Sequence, residues 1–228
     1  MNKTVVIIGG STGIGKALVE EAAKDGCKVV CFSRSLDLMT QSFAAYDNVV
    51  AHHLDLEAVD KDEFESVLKK YGSIDLLINN AGYLVNKPFN ELTTTDLIKS
   101  FQINAVGIME VTKYALPYLN KAFSHIVNIS SMGAFQGSAK FSGLTAYASS
   151  KAAICTFTEV FAEEHKNSSI KMNCLCLGAV QTAMLEKAFP GFKAEIQPED
   201  MASYIYDFAN KQGRFLNGKI IPVSLTTP

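Results

Sequence analysis

A five-residue run, Thr4-Val5-Val6-Ile7-Ile8, passes without a linker into Gly9-Gly10-Ser11-Thr12-Gly13-Ile14-Gly15 and then into a stretch of helical periodicity, 14–25. This junction limits the folds open to the chain more than any other feature. A short, uniformly apolar run has the length and composition of a strand covered on both faces. Glycines let the backbone turn tightly and approach a bound group closely, and the helix that follows presents free N–H groups at its start. Strand, glycine turn and helix N-terminus together can cradle a pyrophosphate. The run is too short for a signal peptide and lacks a cleavage site, so it is expected to be a first strand of the fold.

The same alternation of short apolar and longer amphipathic segments continues along the chain. Strands are predicted at 4–8, 28–32, 74–78, 125–129 and 170–176, with a weaker one at 49–53 and a last one at 219–223. Helical periodicity fills 14–25, 60–71, 94–120, 145–166 and 198–211, with Asp25-Gly26 as the stop of the first. Strands separated by helices imply an α/β fold, a parallel sheet of about seven strands with helices on both faces. A length of 228 residues without repeats or linkers fits one domain spanning 1–228. A content of 48% hydrophobic and 19% charged residues supports an ordinary globular core. The charge run Asp60-Lys61-Asp62-Glu63 reads as a solvated helix face. A net charge of −2 argues against nucleic acid as a partner, and no apolar stretch reaches the roughly 18 residues of a membrane span.

Tyr147 and Lys151 stand four residues apart in a helical stretch, which puts both side chains on one face. An ammonium beside a phenol favours the phenolate, so Lys151 is expected to lower the Tyr147 pKa from about 10 and make a general acid/base. The second strand ends in Ser33-Arg34, where a dinucleotide fold meets the adenosine ribose. An acidic residue there would suit NAD. Serine and arginine suit a 2′-phosphate, and of the 21 lysines and arginines only Arg34 and Arg214 are arginines, the residue with bidentate phosphate geometry. NADP is favoured over NAD on these grounds, the other reading of Arg34 being an exposed loop residue. The five cysteines form no C-x-x-C pair and lack a histidine pattern, so no metal site is expected; Cys174-Leu175-Cys176 would face one side of a strand. Reduced, mostly buried thiols point to the cytoplasm. None of the four histidines sits in a catalytic motif.

Taken together these segments resemble the short-chain dehydrogenase/reductase family, in its compact single-domain branch, over nearly the whole chain. Gly9, Gly13 and Gly15 match the family's T-G-x-x-x-G-x-G turn, with Ile8 in place of threonine. His53-Leu54-Asp55-Leu56 stands where the family places an adenine-side aspartate, and Asn79-Asn80-Ala81-Gly82 matches N-N-A-G. Asn104, the second serine of Ser130-Ser131, Tyr147 and Lys151 fall on the four catalytic positions. Asn173 to Thr182 resembles N-x-x-x-P-G-x-x-x-T, with Gly178, Val180 and Thr182 kept and Leu177 in place of proline.

The resemblance implies a Rossmann-like, doubly wound fold and an NAD(P)-dependent oxidoreductase that reduces a carbonyl or oxidises a secondary alcohol. Tyr147 would move the proton, Ser131 would polarise the substrate oxygen, Lys151 would tune the tyrosine and hold the nicotinamide ribose, and Asn104 would anchor a relay water. The implied cofactor contacts are Gly9, Ser11, Thr12, Gly13, Ile14, Gly15, Ser33, Arg34, Asp55, Leu56, Asn80, Ala81, Gly82, Tyr147, Lys151, Gly178, Val180 and Thr182. Two departures concern the substrate. Ser131 and Tyr147 are sixteen residues apart, so the loop between them must bulge beside the pocket, and the lid after Thr182 is brief, Ala183 to Pro198 at most. The tail through Thr226-Thr227-Pro228 lacks the family's acidic-glycine-glycine ending. A 3-oxoacyl thioester reductase and a catalytically idle NADP-binding sensor or scaffold are the alternatives. The family's helix pairing implies a homodimer or homotetramer, with Val106, Met109, Phe157 and Phe161 as interface candidates.

Overall fold

The computed structural model describes residues 3–225; the first two residues and the tail Thr226-Thr227-Pro228 lie outside them. Strands β1 (Thr4–Ile8), β2 (Lys28–Ser33), β3 (Val49–His53), β4 (Leu76–Asn79), β5 (Ser124–Ser131), β6 (Ile170–Leu177) and β7 (Ile220–Val223) form one sheet in the order β3-β2-β1-β4-β5-β6-β7. Every pairing is parallel. The fold is therefore the Rossmann-like α/β sheet expected from the alternation of segments.

Side chains alternate across each strand, so a strand covered on both sides must be apolar at every position. β1 shows this directly. Val5 and Ile7 enter one core layer with Leu18 and Val19 of helix α1 (Gly13–Lys24) and Ile205 of α8 (Pro198–Lys211). Val6 and Ile8 enter the opposite layer with Phe64 of α3 (Lys61–Tyr71) and Val111 of α5 (Gly107–Ala115). Each such side chain stabilises the fold by about 1.5–3 kcal/mol relative to its exposed state.

Three segments depart from the sequence reading. A short helix α2 (Leu36–Ser42) and a second, α7 (Ala183–Ala188), were not expected. Each hides little: Met39 is the one buried residue of α2, and α7 has none, so neither carries a readable apolar stripe. The expected single helix over 94–120 is broken. α4 (Thr94–Phe101) leads into a π-helical turn at Gln102–Val106, then α5, then a 3₁₀ turn at Leu116–Tyr118 that contains Pro117. Gly107 explains part of the break, because a Cβ there would lie 2.6 Å from the Leu56 carbonyl oxygen. The backbone passes so close that the Gln102 amide also donates to that oxygen at 3.3 Å.

Polar groups inside the sheet fix its register with the helices. Asn79 Nδ2 donates to Asn128 Oδ1 at 2.8 Å and to Thr112 Oγ1 at 3.0 Å, and Asn128 Nδ2 donates to Thr158 Oγ1 at 2.9 Å. This buried chain ties β4 and β5 to α5 and to α6 (Thr145–Glu164). His125, on β5, is wholly buried between the Ala209 carbonyl oxygen at 2.8 Å and Asn173 Nδ2 at 2.9 Å. The first contact makes Nδ1 the donor and leaves Nε2 to accept, which describes a neutral ring. Burial pushes its pKa down to about 4. The unfolded chain binds this proton near pH 6.5 and the folded chain does not, so stability falls as the pH drops from 6.5 to 4. The loss expected from this one residue is about 3 kcal/mol. Urea unfolding of the wild type and His125→Asn across that interval checks it, the variant losing that share of the pH dependence.

Candidate active site

Ligands of a parallel α/β sheet bind beyond the C-terminal ends of its strands, and the sequence candidates gather at that edge. Gly9 leaves β1 at φ +92°, where a Cβ would meet the Ala81 backbone at 2.6 Å. Gly15 packs still closer, its missing Cβ falling 1.8 Å from the Gly9 carbonyl oxygen. Asn80 Nδ2 donates to that same oxygen at 2.9 Å and so ties β4 to the turn. Thr12 stands at the N-cap of α1 without a side-chain cap bond, and no acidic residue occupies the first turn, which leaves the helix N-terminus suited to an anion. Ile14 packs against the core beside it, and Gly13, at φ +53°, lies under the Thr182 methyl.

Ser33 Oγ donates to Ser11 Oγ at 2.9 Å, linking the end of β2 to the turn. Arg34 is exposed and faces Glu57 at 3.7 Å; Glu57 is shared with Lys99 at 2.7 Å, so two cations and one carboxylate form this rim. Asp55 accepts from the Glu57 N–H at 3.0 Å, and Leu56 is buried beside Gly107. On the far side, the Gly178 N–H donates to the Val223 carbonyl oxygen at 2.8 Å, Val180 bridges to Ile196, and Thr182 caps α7 by accepting from the Leu185 N–H at 3.2 Å. The glycine cradle, the open helix N-terminus and the basic rim together fit a dinucleotide with a phosphate on its adenosine ribose.

The catalytic candidates come from three elements. The π turn carries Asn104 inward, fully buried, an insertion of the kind that often marks functional sites. Its Nδ2 donates to the Tyr83 carbonyl oxygen at 2.8 Å and to Ser150 Oγ at 2.9 Å, while its Oδ1 accepts from the Tyr83 N–H at 2.7 Å. Both amide N–H groups are thereby used, which leaves a remaining Oδ1 lone pair and the backbone for any relay water. Ser150 Oγ in turn donates to the Tyr147 carbonyl oxygen at 2.8 Å. Lys151 is buried and donates to the Ile129 carbonyl oxygen at 2.9 Å and the Ala81 carbonyl oxygen at 3.4 Å. Gly82 makes room for it, since a Cβ there would lie 3.2 Å from Nζ. The two serines separate by role. Ser130 Oγ is buried and donates to the Lys151 carbonyl oxygen at 2.9 Å; Ser131 is half-buried and its Oγ accepts from the Gly133 N–H at 3.2 Å.

Electrostatics reverse one expectation. In the protein alone, burial pushes Tyr147 up to about 12, Ser131 opposes the rise by hydrogen bonding, and Lys151 is not among the groups that move it. Lys151 is itself pushed down to about 8 by burial. Its ammonium is turned to backbone carbonyls rather than to the phenol, which is why the expected lowering is missing. Tyr83, Ser150 and Glu57 were absent from the sequence reading. Of these, Ser150 had a signal, because a serine at i+3 on a helix commonly bonds back to the carbonyl of residue i.

Another grouping was missed. Cys155 on α6 and Cys174 and Cys176 on β6 bring their sulfur atoms within 4.8 Å of one another. The strand pair faces one side, as expected, but the third thiol comes from a helix nineteen residues earlier. Hydrogen bonding from Cys174 and Cys176 holds Cys155 well below the usual thiol range and raises the other two.

A family model described as short chain dehydrogenase matches residues 3–192. A 3-oxoacyl-(acyl-carrier-protein) reductase, FabG, of Thermotoga maritima is 29% identical, covering 97% of this chain and 96% of its own. Meso-2,3-butanediol dehydrogenase of Serratia marcescens is 29% identical over 97% and 93%. Among solved structures, ElxO with NADP bound superposes with a TM-score of 0.86 at 30% identity, covering 98% of each chain. BdcA in complex with NADPH gives 0.85 at 26% identity, over 97% and 93%.

Proposed function

Because the chain belongs to the short-chain dehydrogenase/reductase family of oxidoreductases, which act on CH–OH and C=O groups, we propose that it interconverts a small carbonyl compound and its secondary alcohol with NADP. The observation that carries this reading is the joining of Asn104, Ser131, Tyr147 and Lys151 behind a glycine cradle at one strand edge. Gly9, Gly13, Gly15 and Gly82 would hold the dinucleotide backbone, Ser33 and Arg34 its 2′-phosphate, and Lys151 its nicotinamide ribose. When bound, the cofactor supplies the hydride. The protein's share is the proton. Tyr147, protonated at neutral pH, gives its phenolic hydrogen to the carbonyl oxygen during reduction and takes it back from the alcohol in the reverse direction. Ser131 donates a hydrogen bond to that oxygen. Lys151, held by the Ile129 and Ala81 carbonyl oxygens, would present its remaining N–H to the nicotinamide ribose, and Asn104 holds the Tyr83 loop and α6 in register. Oxidation of NADPH with a panel of ketones and aldehydes, followed by absorbance, tests this reading; no turnover across the panel, with the cofactor bound, would favour the idle sensor.

Arg34, exposed at the end of β2 and held only by a 3.7 Å ion pair to Glu57, supports a 2′-phosphate over a free hydroxyl. Arg34→Asp is expected to weaken NADPH binding roughly ten- to a hundredfold, from a lost charge-assisted contact and an added repulsion, while NADH changes little. Equal losses by titration calorimetry would remove Arg34 from the phosphate site. A thioester reductase would use a basic mouth for an acyl carrier. Lys87 and Lys193 at the rim loops are instead ion-paired, with Asp96 at 2.8 Å and Glu186 at 3.7 Å.

The enzyme reads as a cytoplasmic homo-oligomer, a single dinucleotide-binding domain in each protomer. Five free cysteines suit a reducing compartment, and among the described residues no helix is long and apolar enough to cross a membrane. Exposed Ile98 and Phe101 on α4, Val106 in the π turn and Val160 on α6 support a helix-paired dimer. Phe161 is withdrawn from the expected interface because it is buried in the protomer, stacked on His165 at 4.0 Å. Sedimentation at micromolar concentration is expected to give at least a dimer, and Val160→Glu to shift it toward monomer.

A further inference from the structure

The cluster of Cys155, Cys174 and Cys176 lies outside the proton-transfer machinery. Cys174 and Cys176 are alternate residues of β6 and so project from the same face, toward α6. Cys155 stands one helical turn beyond Lys151 and closes over them, its sulfur 3.7 Å from that of Cys176 and 3.5 Å from Ser130 Oγ. Both strand thiols are fully buried and Cys155 is a half-buried residue of α6, so the cluster lies beneath the helix surface.

We propose that these three cysteines form a trigonal binding site for a soft, thiophilic ion of the monovalent copper class. Metal–sulfur bonds of about 2.3 Å around a trigonal centre place the sulfurs about 4 Å apart, which matches a triad whose members all lie within 4.8 Å. No fourth histidine, cysteine or carboxylate joins the group among the described residues, and a structural zinc site needs four ligands. Hard cations require oxygen donors, whereas thiolates select Cu(I). Binding breaks three S–H bonds and forms three Cu–S bonds; the protons leave to solvent and copper stays monovalent, so no electron changes hands. Cys155 Sγ also lies 3.7 Å from the Lys151 carbonyl oxygen, which Ser130 holds at 2.9 Å. Metal that draws Cys155 toward β6 therefore pulls on the helical turn carrying Tyr147 and Lys151, and occupancy lowers turnover reversibly.

The test is anaerobic titration of the full chain with Cu(I) delivered as its bicinchoninate complex, with X-ray absorption of the loaded protein. The expected result is one Cu(I) per chain in a three-sulfur shell. Cys155→Ser should weaken binding roughly tenfold or more, and Cys27→Ala, remote from the cluster and bonded to Tyr206, should leave it unchanged. Because Cys174 and Cys176 sit in the core and their variants risk misfolding, the half-buried Cys155 and the native-protein spectrum carry the decision. Absence of binding, a two-sulfur or nitrogen/oxygen shell, or unchanged affinity in Cys155→Ser would overturn the site.

Discussion

Tyr147→Phe is expected to lower carbonyl reduction by about 10²–10⁴-fold while the affinity for NADPH stays unchanged. The substitution removes one hydroxyl and leaves the ring, the helix and the Ser150 bond to the residue 147 carbonyl in place. Its size follows from the lack of a second acid at the phenol, since the Lys151 ammonium is turned to the Ile129 carbonyl. The pH profile carries a further check. Burial holds the phenol at about 12, so the proton needed for reduction is present throughout the physiological range. Lys151, held near 8, loses its charge and one N–H as the pH rises through that value, which weakens its hold on the Ile129 and Ala81 carbonyl oxygens and on the nicotinamide ribose it would bind. Reduction in the wild type should therefore decline above about pH 8, and stopped-flow measurement of the hydride step is the suitable readout. Undiminished turnover by the phenylalanine variant would refute Tyr147 as the acid.

Gly15→Ala is expected to damage both stability and cofactor binding, for a reason that is purely steric. The new methyl would sit 1.8 Å from the Gly9 carbonyl oxygen and 2.5 Å from Asn80 Nδ2. Neither can withdraw easily: the Asn80 amide is bonded to that oxygen, and Gly9 is itself wedged against the Ala81 backbone. The start of α1 must move away from β1, at a cost of about 3 kcal/mol or more. For a chain of this size that corresponds to a fall in Tm of about 10 °C. Gly26→Ala is the control. It has a positive φ of +76° but nothing within 4 Å of a new Cβ, so it meets left-handed backbone strain alone, about 1–2 kcal/mol. Thermal unfolding should rank the two variants in that order, and fluorescence titration should show NADPH binding lost only in the first.

The sheet was legible because most of its strands are apolar on both faces, a pattern that amphipathic surface segments do not imitate. The placement of the site candidates was legible for a different reason: Tyr147 and Lys151 share a helix face by their spacing and Arg34 follows the end of β2, whereas Ser131, at the end of β5, came from the family resemblance. What failed depended on partners distant in sequence. The π turn interrupts a helical period without a proline, and the contact that explains part of it, the Leu56 carbonyl pressed on Gly107, comes from a segment far upstream. The sign of the Tyr147 shift depended on where the Lys151 ammonium points, which the spacing of two residues on a helix face leaves open. The thiol cluster needed the packing of α6 on β6, and the cysteines show no motif by themselves.

The sheet order also has a consequence for how the protein comes into being on the ribosome. The glycine turn is translated before the groups that wall it, the Asn80 amide, the Ala81 backbone and the Thr182 methyl, with β6 beyond it held by β7 at residues 220–223. Until those later segments follow, the nascent chain carries the glycine turn without the surfaces that give it its shape. A ligand that needs this shape can therefore add stability only once β4 and the segment around Thr182 are in place.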